Sequence, residues 1–183
     1  AELSLIKKFN KKNIVSGFTT NPSLMRKAGA KNYEAYSKQI LKLCGNKPIS
    51  FEVFADDHNS MIKQGKKINT WGKNVYVKVP VINSKNQFTG KVIKELNNQN
   101  IKLNITAVYT AKQTEKILKQ INKKTNVIIS VGKCKRALQL FTSKTIRVPH
   151  NNCTTIYHWK NWKVWKIIQS IDTRNSKSFL VGQ

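Results

Sequence analysis

Acidic residues are scarce in this chain of 183: eight Asp and Glu stand against 34 Lys and Arg, a formal charge of +26. A balance so basic suits nucleic acid or another polyanion as partner. Its distribution qualifies that reading. Residues 1–131 hold 24 basic and 7 acidic side chains, and residues 132–183 hold 10 and 1. In the first part the lysines fall mostly on polar helix faces. With the abundant Asn and Ile they read as a compositional bias, a solvated basic surface around an anionic-substrate site. Long apolar runs are also lacking. None approaches membrane-spanning length, and the start AELSLIKKFNKK has no apolar signal-peptide core. No membrane partner is expected. Cysteine is sparse: Cys44, Cys134 and Cys153 are odd in number and far apart, which suggests reduced thiols and a cytoplasmic setting. They form no CxxC pair, and the three histidines form no ligand pattern, so no metal is expected.

What the chain does have centres on residues 74–82, NVYVKVPVI. Val75, Val77, Val79 and Val81 are β-branched and Tyr76 adds an aromatic, so the stretch reads as a buried strand. Lys78 interrupts it. An ammonium is costly in an apolar strand, and an amine in such a place suits a Schiff-base nucleophile. The alternative is an edge-strand lysine whose stem lies on the sheet while its head reaches water.

The rest alternates in the same manner. Residues 13–20 (NIVSGFTT) form a short apolar strand. Asn21-Pro22-Ser23 opens a helix, capped by Ser23 or Asn21, whose apolar face carries Leu24, Ala28, Tyr33, Tyr36, Ile40 and Leu43 towards Gly45. Residues 49–55 (ISFEVFA) form a strand with Glu52 among hydrophobes. Residues 56–69 are helical, with Met61, Gly65 and Ile68 on one face. A helix over 88–98, a strand over 101–108 (IKLNITAV), a helix over 111–123 with Ile117, Leu118 and Ile121 inward, and a strand over 126–131 follow. Such alternation with short loops predicts βα units on a parallel sheet. No Gly-rich phosphate loop follows any strand, which counts against an open dinucleotide-binding sheet. Polar residues recur along the strands instead: Thr19, Thr20, Glu52, Lys78, Asn104, Thr106 and Ser130. Polar groups converging from several parallel strands fit a (β/α) barrel, with chemistry at its C-terminal face.

These stretches, GFTTNPSLM at 17–25, FEVFAD at 51–56, YVKVP at 76–80, LNITAVYTAKQ at 103–113 and VIIS at 127–130, resemble in order and spacing the transaldolase family in its small-subunit form. The fructose-6-phosphate aldolases belong to the same superfamily. The resemblance covers residues 1–131 and implies an α/β fold, the (β/α)8 TIM barrel of the class I aldolases. It implies that Lys78 condenses with the carbonyl of a ketose phosphate and that a dihydroxyacetone unit passes to an aldose phosphate, a step of the pentose phosphate pathway. By the same resemblance Glu52 and Thr106 hold the catalytic water. Asn21, Asn104 and Ser130 match groups that bind the dihydroxyacetone hydroxyls. No cofactor is implied. Glu52 favours transaldolase, because the aldolase branch usually carries glutamine there. For Glu52 and Lys78 the plain alternative is a buried ion pair. The remaining polar residues have the alternative of satisfied buried groups.

The sequence departs from the family in two places. The family opens with a strand bearing an acid/base aspartate, in a pattern like LDTA; the sequence starts at Ala1-Glu2-Leu3, just beyond that point, and the strand with its aspartate is expected to be missing. The family strand matching 126–131 continues into FAGR, with an aromatic and a phosphate-binding arginine. Here Gly132-Lys133-Cys134-Lys135 follows instead. The barrel is therefore expected to be incomplete, with exposed strand edges prone to aggregation. Residues 132–183 are expected to be an aberrant basic segment and not a separate domain. Read one nucleotide out of frame through synonymous codons, they yield family-like stretches such as GCHIITVPP and LTLETVK. The family is commonly homo-oligomeric through its C-terminal helix, so assembly is expected to fail here.

Two other functions remain from the residues: aldol cleavage without transfer, and nucleic-acid binding through WKNWKVW. Salt separates the last from the enzyme. If the basic tail were a nucleic-acid site, binding to single-stranded oligonucleotides would fall steeply between low and moderate salt. We expect no specific binding at moderate salt in a filter-binding titration. For the frame, coding DNA that translates in the family's frame from residue 132 onward is the expected result.

Overall fold

The computed structural model describes residues 2–122, 124–131, 153–160, 163–170 and 180–181, the last three stretches by backbone alone. The expectations for 132–152, for 161–162 within WKNWKVW and for 171–179 lie outside the described residues. Five parallel strands, β1 (Val15–Thr19), β2 (Ile49–Glu52), β3 (Val75–Pro80), β4 (Leu103–Val108) and β5 (Val127–Val131), curl into a half-barrel. Around them lie α1 (Leu3–Asn10), α2 (Pro22–Lys27), α3 (Tyr33–Cys44), α4 (His58–Asn69), α5 (Gly90–Asn98) and α6 (Ala111–Leu118). This is the expected α/β architecture, an incomplete TIM barrel.

The half-barrel does not leave its edges bare, as the sequence led us to expect. β6 (Cys153–Lys160) pairs antiparallel with β5, β7 (Lys163–Ser170) with β6, and β8 (Leu180–Val181) with both β7 and β1, which closes the ring. Unpaired N–H and C=O groups at a strand edge accept any extended partner, and here three returning strands supply it. Their antiparallel direction distinguishes this ring from the parallel barrel.

Period-two alternation sorts the side chains. In β3, Val75, Val77 and Val79 are sealed, as is Val81 just after it, while Lys78 and Pro80 are half-buried. A Cβ built on Gly65 of α4 would fall 2.7 Å from Leu96 Cδ1 and 3.4 Å from Val77 Cγ1. The odd positions of β3 thus face the helices and the even ones face the barrel interior. Phe51, Met61, Ile68, Ile93, Leu96, Leu103, Ile105 and Ile117 fill the layer between sheet and helices.

Three sequence expectations are corrected. The helix read from residue 21 to Gly45 is two helices: Gly29 takes φ 91°, and Asn32 then caps α3 by accepting from Ala35 N. Met25, outside the expected face, is fully buried. Leu118, expected inward, is the last residue of α6 and is 39% exposed, because the helix ends there and not at residue 123. The stretch 3–10, not assigned to an element in the sequence, forms α1 and packs on α3 through Ile6. At the N-terminal ends of the strands, Lys47 Nζ donates to the carbonyls of Asn10 (2.7 Å) and Lys12 (3.2 Å). Asn74 Nδ2 donates to those of Gly45 (3.0 Å) and Lys47 (2.7 Å).

The close approach at Gly65 yields a test. Gly65→Val should lower the urea midpoint, costing about 1–3 kcal/mol as overpacking does, because Leu96 and Val77, which it would meet, are both fully buried. An unchanged midpoint would place α4 further from β3 than described.

Candidate active site

The register of the parallel strands brings the polar residues together. Glu52 lies beside Lys78 and Lys78 beside Asn104 on three successive strands, and one step further Pro80 pairs with Thr106. Each of these strands alternates, so matching register places the matching side chains on the same interior face.

Lys78 Nζ donates to Glu52 Oε2 at 3.1 Å and to the Thr20 carbonyl at 3.3 Å. The side chains are only 13% and 17% exposed, so solvent screens this pair far less than a surface one. The reading of Lys78 as an edge lysine reaching into water does not hold. The pairing carboxylate is also a proton acceptor in direct reach of the amine.

A second constellation lies next to it. The Ser130 hydroxyl donates to Asn104 Oδ1 (2.7 Å), and Asn104 Nδ2 donates to Ser50 Oγ (3.0 Å). The Thr20 hydroxyl donates to the Ser50 carbonyl (2.8 Å). Asn104 is 2% exposed, so both ends of its carboxamide need partners, and both have them. The chain of bonds ties β1, β2, β4 and β5 across the interior. Sequence reasoning missed Ser50; its place two residues before Glu52 on one strand face was the available signal.

Asn21 stands just beyond β1. Its Oδ1 accepts from Ser23 N (2.8 Å) and Leu24 N (3.3 Å) and caps α2. The cap identified in the sequence is therefore Asn21 and not Ser23. Thr106 is half-buried, and its carbonyl accepts from Val81 N at 2.9 Å. Past it the ladder shifts: Ile105 pairs with Ile129 but Val108 with Val131, so β4 carries one residue more than β5. Ala107 absorbs the extra residue at φ 59°, a left-handed conformation that costs a non-glycine residue free energy.

Tyr33 also escaped sequence reasoning as anything beyond a helix-face residue. From the first turn of α3 its hydroxyl donates to the Glu52 carbonyl (3.1 Å) and accepts from Glu52 N (3.0 Å). Burial pushes this hydroxyl up to about 12, so it stays protonated. Apart from this interior, a polar hollow of about 290 Å³ lies between the loops after β2 and β3, lined by Asp56, His58, Asn83 and Lys85 among others. None of the sequence-predicted site residues lines it.

Among the described residues no group of three or more His, Cys, Asp or Glu side chains is placed to hold a metal ion, and no helix is long and apolar enough to cross a membrane.

A half-barrel of parallel strands that gathers a lysine, a carboxylate and amide and hydroxyl groups on its inner face defines a (β/α)-barrel protein of the aldolase kind. The family model described as Transaldolase/Fructose-6-phosphate aldolase matches residues 1–161, and the chain belongs to that family. The match runs past residue 131, where the motifs quoted from the sequence end. Among curated relatives, the probable transaldolase of Methanococcus maripaludis (strain C5) is 36% identical over 113 residues, 62% of this chain and 50% of that protein. Those of Dehalococcoides mccartyi and Phocaeicola vulgatus are 34% and 36% identical over 113 and 115 residues, covering 62% of this chain and 50% and 51% of theirs. The chain thus matches about half the length of these curated relatives.

The Asn104 bonds make a prediction. Asn104→Ala strands the Ser130 and Ser50 hydroxyls together and should cost about 1–3 kcal/mol in urea unfolding. Ser50→Ala removes one bond and should cost less, about 1 kcal/mol. Equal costs would show that the two bonds are not made through Asn104.

Proposed function

We propose that this protein is a transaldolase whose nucleophile is Lys78. The observation that carries the reading is the shielded Lys78–Glu52 pair at 3.1 Å in the line of inward residues. Glu52 accepts the proton that the ammonium sheds, and the free amine attacks the carbonyl carbon of a ketose phosphate. The carbinolamine loses its oxygen as water and becomes a protonated imine. The C4 hydroxyl then gives its proton to water and becomes the carbonyl of the released aldose phosphate, while the C3–C4 bond breaks and its electron pair flows into the imine, leaving a dihydroxyacetone enamine on Lys78. The enamine attacks the aldehyde carbon of a second aldose phosphate, whose oxygen takes a proton from water, and hydrolysis of the re-formed imine releases the new ketose phosphate and returns the amine.

Glu52, paired with Lys78, and Thr106, one step further on beside Pro80, hold the water of imine formation and hydrolysis. Asn21, Asn104 and Ser130 bind the hydroxyls of the three-carbon unit and keep it oriented for transfer. In this reading the Asn104 bonds to Ser130 and Ser50 hold the carboxamide in one orientation before the substrate arrives. The substrates are sugar phosphates, the setting is the pentose phosphate pathway, and the location is the cytoplasm. The basic surface around the site attracts such anions.

The test is borohydride trapping with fructose 6-phosphate, followed by peptide mass spectrometry. A reduced three- or six-carbon adduct on Lys78, absent from Lys78→Ala, is expected. No adduct from a soluble, folded sample would refute the reading. Adding erythrose 4-phosphate should release a seven-carbon ketose phosphate; adduct without transfer would favour aldol cleavage alone.

A further inference from the structure

Glu52 is held where β1 no longer reaches it. β1 and β2 pair only at Phe18 with Ile49 and Thr19 with Ser50, and the last rung of this ladder is Thr20 N to the Ser50 carbonyl at 3.0 Å. The chain then turns into α2 at Asn21–Pro22. On its other side Glu52 is fixed by β3, where it pairs with Lys78 and Val53 N donates to the Lys78 carbonyl at 3.0 Å. On the β1 side its N–H and C=O have lost their strand. The Tyr33 hydroxyl meets both, donating to one and accepting from the other, as a neighbouring strand would.

The ring that delivers this hydroxyl is itself fixed. It packs edge-on against Phe54 with centroids 5.4 Å apart and tilted against Trp71 at 5.9 Å, and Trp71 packs edge-on against Phe51 at 5.5 Å. Phe51, Glu52 and Phe54 all belong to β2 or its exit. The tyrosine therefore grips β2 through rings on one side and through its hydroxyl on the backbone of the carboxylate residue. A half-buried carboxylate that pairs with a lysine at 3.1 Å has little freedom, and a loosened backbone here moves the oxygen directly.

We infer that Tyr33 is a positioning residue for the Lys78–Glu52 pair: its hydroxyl substitutes for the missing strand and sets the distance between carboxylate and amine. This rests on the proposal that Lys78 forms the imine. It concerns how the site is aimed, and Tyr33 itself touches no reacting atom.

Tyr33→Phe keeps the ring and removes both backbone bonds, so it separates aim from packing. Two readouts are measured on the full chain beside the thermal midpoint. The first is the rate of borohydride trapping with fructose 6-phosphate at saturating and half-saturating sugar. The second is reductive methylation of Lys78 by formaldehyde and cyanoborohydride, relative to exposed Lys63 in the same digest. The maximal trapping rate should fall about tenfold, less than the hundredfold or more that a positioned proton-transfer group contributes, because Glu52 is still present. The half-saturating concentration should stay within about twofold, as expected for a loss felt in the reaction and not in binding. Methylation should rise about threefold, because an amine no longer held at 3.1 Å by the carboxylate is free to meet formaldehyde.

Opposite movement of the two rates is the signature. If both fall together with the thermal midpoint, Tyr33 is merely structural and the inference is overturned. If the unsubstituted chain traps sugar and Tyr33→Phe traps it equally fast, the inference fails and the transaldolase reading stands. If the unsubstituted chain traps nothing, the transaldolase reading fails, and methylation alone judges Tyr33: an unchanged rate overturns its role. Should Tyr33→Phe not fold, hydrogen exchange at the Glu52 amide of the unsubstituted chain decides. Slow exchange is required, and exchange as fast as an open amide overturns the inference.

Discussion

A lysine and a glutamate facing each other across neighbouring strands, on the inner face of the sheet, set the terms for this structure. Two half-buried charges are tolerable only while each is matched, and the match depends on one register. A slip of one residue between β2 and β3 would turn Glu52 towards the helices and Lys78 away from its partner. The valines of β3 forbid the same slip from the other side, since they would have to face the interior. Packing and electrostatics thus specify one alignment between them, and that alignment places Asn104 next in line.

Around the pair, satisfaction of buried polar groups runs outward in steps. The ammonium has a carboxylate and the Thr20 carbonyl, and the Thr20 hydroxyl has the Ser50 carbonyl. The Ser50 hydroxyl in turn has Asn104, which has Ser130. An interior built this way is intolerant of single truncations, because each removal leaves a neighbour without its partner. The opposite ends of the strands are built differently. There, Lys47 and Asn74 bind backbone carbonyls of adjoining segments, which ties the frame together without presenting any reactive group.

Much of this was legible before any coordinates, and for identifiable reasons. Runs of β-branched residues separated by helical periods mark β2 to β5, and polar residues within those runs mark the interior face. What stayed hidden depends on contacts distant in sequence. Gly29 divides one amphipathic stretch into two helices, and no periodicity separates a glycine that breaks a helix from one that packs inside it, such as Gly65. Leu118 has the spacing of a core residue, yet α6 ends beneath it. Tyr33 and Ser50 look like an ordinary face residue and an ordinary strand residue, since their partners lie 19 and 54 positions away. The returning strands β6 to β8 had no signal in the residues, because the basic, irregular composition after residue 131 breaks every period that the first part keeps.

The brevity of the contact between β1 and β2 has a dynamic consequence. With two paired positions on one side and an irregular antiparallel join to a two-residue strand on the other, β1 is the parallel strand with the fewest paired positions. Local opening of the sheet starts where the free energy of detachment is smallest. When β1 lifts away, the Thr20 carbonyl goes with it, and the lysine amine loses one of its two acceptors while keeping the other. Such an opening would leave the ammonium with the carboxylate alone, at a free energy well below that of unfolding the whole sheet.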